Sequence, residues 1–193
     1  MKELFIDYII NIYQDVPIVV YKGLILVFCL VALLMVVFFG YKRGFLYSSR
    51  LLFVEYVLLL SCSTVLFRLY NENQGHNFHP LWSYTMIKAG GKDLLAENIL
   101  NIVAFIPIGL LLGIAFKLTK WYKVLIIGSS ISVIVETLQF LLKKGFSEVD
   151  DVIHNTLGCL IGYEIYLIVR MGYERISKKY VAVLLLLGAR IKS

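Results

Sequence analysis

Five apolar runs, each close to the thickness of a bilayer's hydrocarbon core, leave this chain few ways to fold. They are Ile18–Phe39, Leu51–Phe67, Asn98–Phe116, Val124–Leu142 and Asp151–Val169. A crossing helix needs about 20 mostly apolar residues, and in lipid it must satisfy its backbone N–H and C=O groups internally. The first run tolerates Lys22 near its end by snorkelling. The second is short at its strict limits and contains Glu55. A further patch, Val181–Ala189, is too short to span and reads as interfacial or packed against the bundle. Pro107 removes one backbone bond from the third run and is expected to kink it. Composition agrees, with 60% hydrophobic and 17% charged residues, against about 45–50% and about 25% in soluble domains. The expectation is an all-α, polytopic membrane bundle of about five transmembrane helices, forming a single domain over residues 1–193.

Charge placement sets an orientation. Segments 40–50, 117–123 and 170–193 hold twelve of the 19 basic residues and one acid, Glu174. The alternate segments hold the other seven basic residues and nine acids. By the positive-inside rule, the N-terminus lies outside and the C-terminus in the cytoplasm of a bacterial plasma membrane. The net charge of +6 therefore reads as membrane topology, not nucleic-acid binding, because the basic residues flank apolar runs instead of forming one patch. Glu3, Asp7 and Asp15 replace the basic start of a signal peptide, and the first apolar run is too long for one, so no cleavable leader is expected. Cys29, Cys62 and Cys159 lie in apolar runs without CxxC spacing and read as buried thiols.

Against this background the stretch Phe146–Gly162, FSEVDDVIHNTLGCLIG, is unusual. It carries Asp150, Asp151, His154 and Asn155 into an apolar helix, where each charge costs roughly 2.5–3.5 kcal/mol on insertion scales. Asp151 and Asn155 stack at i, i+4, as do Asp150 and His154 on a neighbouring face. On the third run Glu97 and Asn101 share a face, with Asn98 beside them and Asn101 about 6 Å below Glu97. On the fourth, Glu136 and Gln139 share a face, roughly 10 and 6 Å below the outer boundary. Three helices thus bring amides and carboxylates to one depth, which suggests a cavity open to the outer leaflet. Arg68, Lys143 or Lys144 could balance part of the charge. Asp150 is also a plausible N-cap of its own helix. Glu55 and Glu164 read as structural, near Arg50 and Arg170.

The chemistry this layer suits is proton transfer between carboxylates, with Glu136 and Asp151 as the candidate catalytic pair. Glu97, Asn98, Asn101, Gln139, Asp150, His154 and Asn155 are candidate substrate-binding residues. No HExxH, Cys pair or EF-type spacing appears, so neither a metal nor a cofactor is expected. Two other readings stay open: a non-enzymatic binder of a polar headgroup, and a small transporter. The lack of a detectable internal repeat weighs against the transporter.

These residues resemble the VanZ-like family. Asn101, Phe105, Pro107 and Gly109 match its Asn-x3-Phe-x-Pro-x-Gly element, Glu136 and Gln139 its Glu-x-x-Gln, and Asp150, Asp151, Asn155 and Gly158 its acidic pair with Asn and Gly. The resemblance covers roughly residues 95–170. One departure stands in the loop KKGFSEVDD, where Lys143 and Lys144 replace an Arg frequent in the family; Lys lacks the bidentate fork of Arg. The resemblance implies a cell-envelope role in glycopeptide (teicoplanin) resistance, with an amphiphilic envelope lipid or lipoglycopeptide as partner.

Overall fold

The computed structural model describes residues 16–72 and 75–191, the side chains of Lys92 and residues 179–191 excepted. Helix α1 spans Ile18–Ser61 and runs into a π-helical turn, Cys62–Leu66. A two-residue strand β1, His76–Asn77, and a short helix α2, Trp82–Lys88, follow. Helices α3 (Lys92–Phe116) and α4 (Trp121–Leu142), strand β2 (Ser147–Glu148) and helix α5 (Val149–Ile191) complete the described chain. The fold is all-α, as expected, and four of its helices are long and apolar enough to cross a membrane.

The two N-terminal runs, read as separate spans, form one continuous helical element broken at Gly40. There the backbone takes φ 74 and ψ 165, a left-handed excursion that only glycine makes cheaply. The arms on either side, 18–39 and 41–66, are each long enough to cross a hydrocarbon core at 1.5 Å per residue. Residues 41–50, read as loop, are helical. No residue of the first arm is buried, whereas Gly44, Ser49, Glu55 and Leu60 of the second arm are. This exposed, apolar first arm also explains Cys29, which is exposed instead of buried; Cys62 is half-buried and Cys159 fully buried. Helix α3 begins at Lys92, six residues before the expected Asn98, because the turns preceding the apolar run are already packed against α2. Residues Val181–Ala189 continue the α5 backbone as helix; their side chains, and the N-terminal Lys2, Glu3, Asp7 and Asp15, lie outside the described residues.

Helices α3 and α5 make the most extensive pairing in the molecule. Small residues permit it: Gly109 lies against the Cys159 carbonyl, and Gly158 and Gly162 lie against the carbonyls of Ile102 and Ile106. Gly113 is covered by the Tyr166 ring. Around this seam Phe105, Ile108, Leu112, Val124, Val135 and Tyr163 form the apolar core. Glu55, read as structural near Arg50, does not pair with it. The Arg50 Nε donates to the Ala115 carbonyl at 3.2 Å, and Glu55 is buried with its Oε1 unpartnered among the described residues. Arg170 pairs with Glu174 at 2.8 Å, one turn along α5.

A methyl group at Gly162 would collide with α3 backbone, which cannot swing away as a side chain can. Gly162→Ala should therefore destabilise the protein by about 1–3 kcal/mol or more. Gly172→Ala, with nothing within 4 Å of the added carbon, should hold or raise the melting temperature in detergent, because alanine favours a helix interior over glycine by about 1 kcal/mol. Equal melting temperatures for the two variants would contradict this packing.

Candidate functional site

The loop between α1 and α3 is built around Asp150. Its two carboxylate oxygens accept from the Leu81 and Ser83 backbone N–H groups, the latter at 2.9 Å, and from the Ser83 hydroxyl at 2.6 Å. Leu81 holds a left-handed φ of 64, uncommon for a branched side chain. Asp150 thus caps helix α2 from a distance; the sequence reading offered it as a substrate-binding residue or as the cap of its own helix. Asn98 joins by donating to the Ser83 hydroxyl at 3.1 Å. His154 Nε2 and the Tyr84 hydroxyl lie 2.9 Å apart. Asp150, Ser83 and His154 are all essentially inaccessible to solvent. Asp150, Asn98 and His154, three of the expected binding residues, thus anchor α2 to the bundle.

Strand β1 lies parallel to β2, His76 opposite Ser147 and Asn77 opposite Glu148. The Phe146 ring covers Gly75, and Trp82 lies 6.3 Å from Phe146 between ring centroids. The Trp82 indole donates to Glu148 Oε2 at 2.8 Å, while the Glu148 backbone N–H donates to Glu136 Oε2 at 2.9 Å. The loop therefore lies folded over the polar layer, tied to it by side chains from β2 and the start of α5.

Beneath it is a cavity of about 110 Å³, and the remaining candidates converge there: Glu97, Asn101, Glu136, Gln139, Asp151 and Asn155 all line it. Asn101 Nδ2 donates to Asp151 Oδ1 at 2.6 Å. Gln139 Nε2 donates to the Thr64 carbonyl at 3.1 Å, and Asn155 Nδ2 to the Ser132 hydroxyl at 2.8 Å. Both amides thus spend a donor on the protein, and their acceptors, Gln139 Oε1 and Asn155 Oδ1, are buried without a partner among the described residues. Such atoms carry a desolvation penalty of about 1–3 kcal/mol each until something bonds them.

Arg68 and Glu148 also line the cavity. Arg68 packs against Gly145, where the loop takes a positive φ of 92 and leaves room for the guanidinium. Lys143 lies over the Tyr70 ring and Lys144 donates to the Leu66 carbonyl at 2.8 Å. Arg68 alone of the three expected cations lines the cavity, facing four carboxylates, those of Glu97, Glu136, Glu148 and Asp151. Burial pushes the Glu148 carboxyl up to about 7, with Glu97 and Asp150 adding to the rise and the Trp82 bond opposing it.

Sequence reasoning gave no site role to Glu148, Trp82, Ser83, Tyr84 or Ser132, which support the site. It also missed the π-helical turn, which lies where Thr64 turns its carbonyl to Gln139. The acid at position 148 was visible in the loop motif; the others carry no spacing signal. An apolar groove of about 250 Å³ adjoins the cavity between the second arm of α1 and α3. Leu60, Thr64, Asn101 and Ala104 line both. Among the described residues, no three of His, Cys, Asp and Glu stand together as a metal-holding group.

The molecule is thus a helical membrane-type bundle with an acid-rich, amide-lined cavity under a folded loop. The VanZ/LLP1 family model matches residues 24–170, and the chain belongs to that family. Protein VanZ from Enterococcus faecium is 37% identical over 108 residues, an alignment spanning 53% of this chain and 63% of that relative. The chain thus matches somewhat less than two thirds of the relative's length. No solved structure matches it.

Glu148 binds more protons folded than unfolded between its ordinary 4.5 and about 7. Its contribution to stability is therefore greatest at the acid end of that window and falls as pH rises through it. Glu148→Gln keeps an acceptor for Trp82 and removes this titration. The drop in melting temperature from pH 5 to pH 8 should be smaller in the variant than in the parent. An identical drop would show that Glu148 titrates as an ordinary surface acid.

Proposed function

We propose that this chain is a multi-pass plasma-membrane protein, N-terminus outside, whose outward-facing cavity receives the polar head of an amphiphilic envelope molecule and thereby supports teicoplanin resistance. The observation that carries this reading is that Leu60, Thr64, Asn101 and Ala104 line both the polar cavity and the apolar groove beside it. A polar chamber beside an apolar slot between helices suits a molecule with a head and a tail. Glycopeptide tolerance comes to this chain from its family membership and its likeness to protein VanZ.

The cavity's chemistry narrows the head. Four carboxylates, two unspent amide acceptors and a single guanidinium favour a group rich in hydroxyl, amide or ammonium donors over an anion. In the enzymatic form of the proposal, Glu136 and Asp151 exchange protons with such a head, and Asn101, Gln139 and Asn155 orient it. Asn101 holds Asp151 through the 2.6 Å bond, which fixes the carboxylate for that work. The free acceptors of Gln139 and Asn155 also support a second form, in which the site binds the head without reacting.

Glu136→Gln separates the two. It preserves shape and hydrogen bonding but cannot accept a proton. The enzymatic form predicts that it abolishes teicoplanin tolerance in cells with normal expression, whereas the binding form predicts tolerance retained and graded losses from Asn101→Ala and Gln139→Ala. Full tolerance in all three variants would overturn both. The orientation is checked in the same cells, with the native cysteines replaced by serine. Leu69→Cys should react with an impermeant maleimide from outside and Lys120→Cys only after lysis; the reverse pattern would invert the topology.

A further inference from the structure

At the opposite end of the bundle lies a groove that the polar cavity does not use. It encloses about 970 Å³ between the start of the second arm of α1, the end of α3 and the middle of α5. That is the upper end of the usual range for ligand pockets, about 300–1,000 Å³. On α3 the two sites are well separated: Asn101 and Lys117 stand 16 residues apart, about 24 Å along a helix.

The groove has two parts. Phe45, Leu46, Leu110, Ile114 and Val169 give it apolar walls, and Tyr41, Tyr166 and Tyr173 add aromatic rings with polar tips. Lys42, Lys117 and Arg170, from three different elements, supply positive charge at its rim. Lys117 holds the left-handed conformation, φ 51, that ends α3. Neither Lys42 nor Lys117 has an ion-pair partner among the described residues, while Arg170 gives its Nε to Glu174 and also bonds the Tyr166 hydroxyl, which holds the guanidinium against the groove wall. Thr119, just ahead of α4, adds a hydroxyl.

A soluble anion would have no use for the apolar walls, and a neutral lipid none for three cations. Tyrosines at the end of a span mark the depth of lipid headgroups. Basic pockets between membrane helices at that depth are suited to anionic headgroups. We infer that this groove binds one anionic phospholipid, its phosphate held by Lys42, Lys117 and Arg170 and its acyl chains lying along Phe45, Ile114 and Val169. The lipid bridges α1, α3 and α5 at the end where α1 bends at Gly40. This site stands independently of the function proposed for the polar cavity.

Native mass spectrometry of the purified full chain tests it, using nanodiscs of phosphatidylcholine doped with phosphatidylglycerol. The parent should retain phosphatidylglycerol in preference to phosphatidylcholine. The double variant Lys42→Gln/Lys117→Gln should lose that retention at least about 5-fold, the effect of about 1 kcal/mol for a single cation near a lipid surface. Lys42→Arg/Lys117→Arg and the distant Lys143→Gln should keep it, and inorganic phosphate should not displace the lipid. Equal retention of the two lipids by the parent, undiminished phosphatidylglycerol in the Gln pair, loss in the Arg pair, or displacement by inorganic phosphate would each overturn the assignment. Should the Gln pair fail to fold, the Arg pair and the phosphate competition still decide it.

Discussion

Helices α3 and α5 approach so closely that glycines on each lie against carbonyls of the other, and everything functional in the bundle is hung on that seam. In a bilayer there is little hydrophobic drive to join two apolar helices, so close backbone approach and buried polar contacts must hold them together. The glycines at 109, 158 and 162 supply the first. The second begins immediately above them, where Asn101 and Asp151 bond across the same interface. The seam therefore fixes the separation of the polar residues just above it. Helix α4, the second arm of α1 and the bend that follows it then close the cavity by adding Glu136, Gln139, Thr64 and Arg68.

The loop above the cavity is held by a carboxylate that looked like a helix cap. Asp150 sits where a first-turn acid favours the dipole of its own helix. Its oxygens instead satisfy N–H groups at the start of α2, 67 to 69 residues away in sequence. The acidic pair thus divides its labour. Asp150 builds the cover, and Asp151, one residue on and turned to the next helix, lines the chamber. Glu148 joins the two through Trp82 on one side and Glu136 on the other.

Much of this was readable from the residues, for a physical reason. Polar groups in an apolar helix are costly, so agreement in depth between Asn101, Glu136, Gln139, Asp151 and Asn155 predicted a shared cavity, and all five line one. The seam follows from the same residues: Gly109 and Gly113 on α3, and Gly158 and Gly162 on α5, stand four apart, the small-xxx-small spacing that lets two helix backbones approach closely. Depth alone could not separate wall from support. Asn98, Asp150 and His154 lie at the same level but point their bonds to α2; the aromatic segment 67–97, with Trp82 and Tyr84, suggested a loop carrying an interfacial helix, but nothing in it marked which residues that helix would bond. Gly40 was read as part of a connection; the left-handed turn it makes is a single-residue event inside a helical pattern. Arg68 was one of three equivalent cations by position, and only packing against Gly145 distinguishes it.

The central claim is that head and tail of one amphiphile occupy the cavity and the adjoining groove. Ala104 lines both, so a blocked thiol there tests it most directly. In cells lacking the native cysteines, Ala104→Cys should support teicoplanin tolerance until an alkyl thiosulfonate fills the junction, and tolerance should return when a reductant removes the alkyl group. Tolerance that persists while mass spectrometry shows the introduced thiol fully modified would contradict the account.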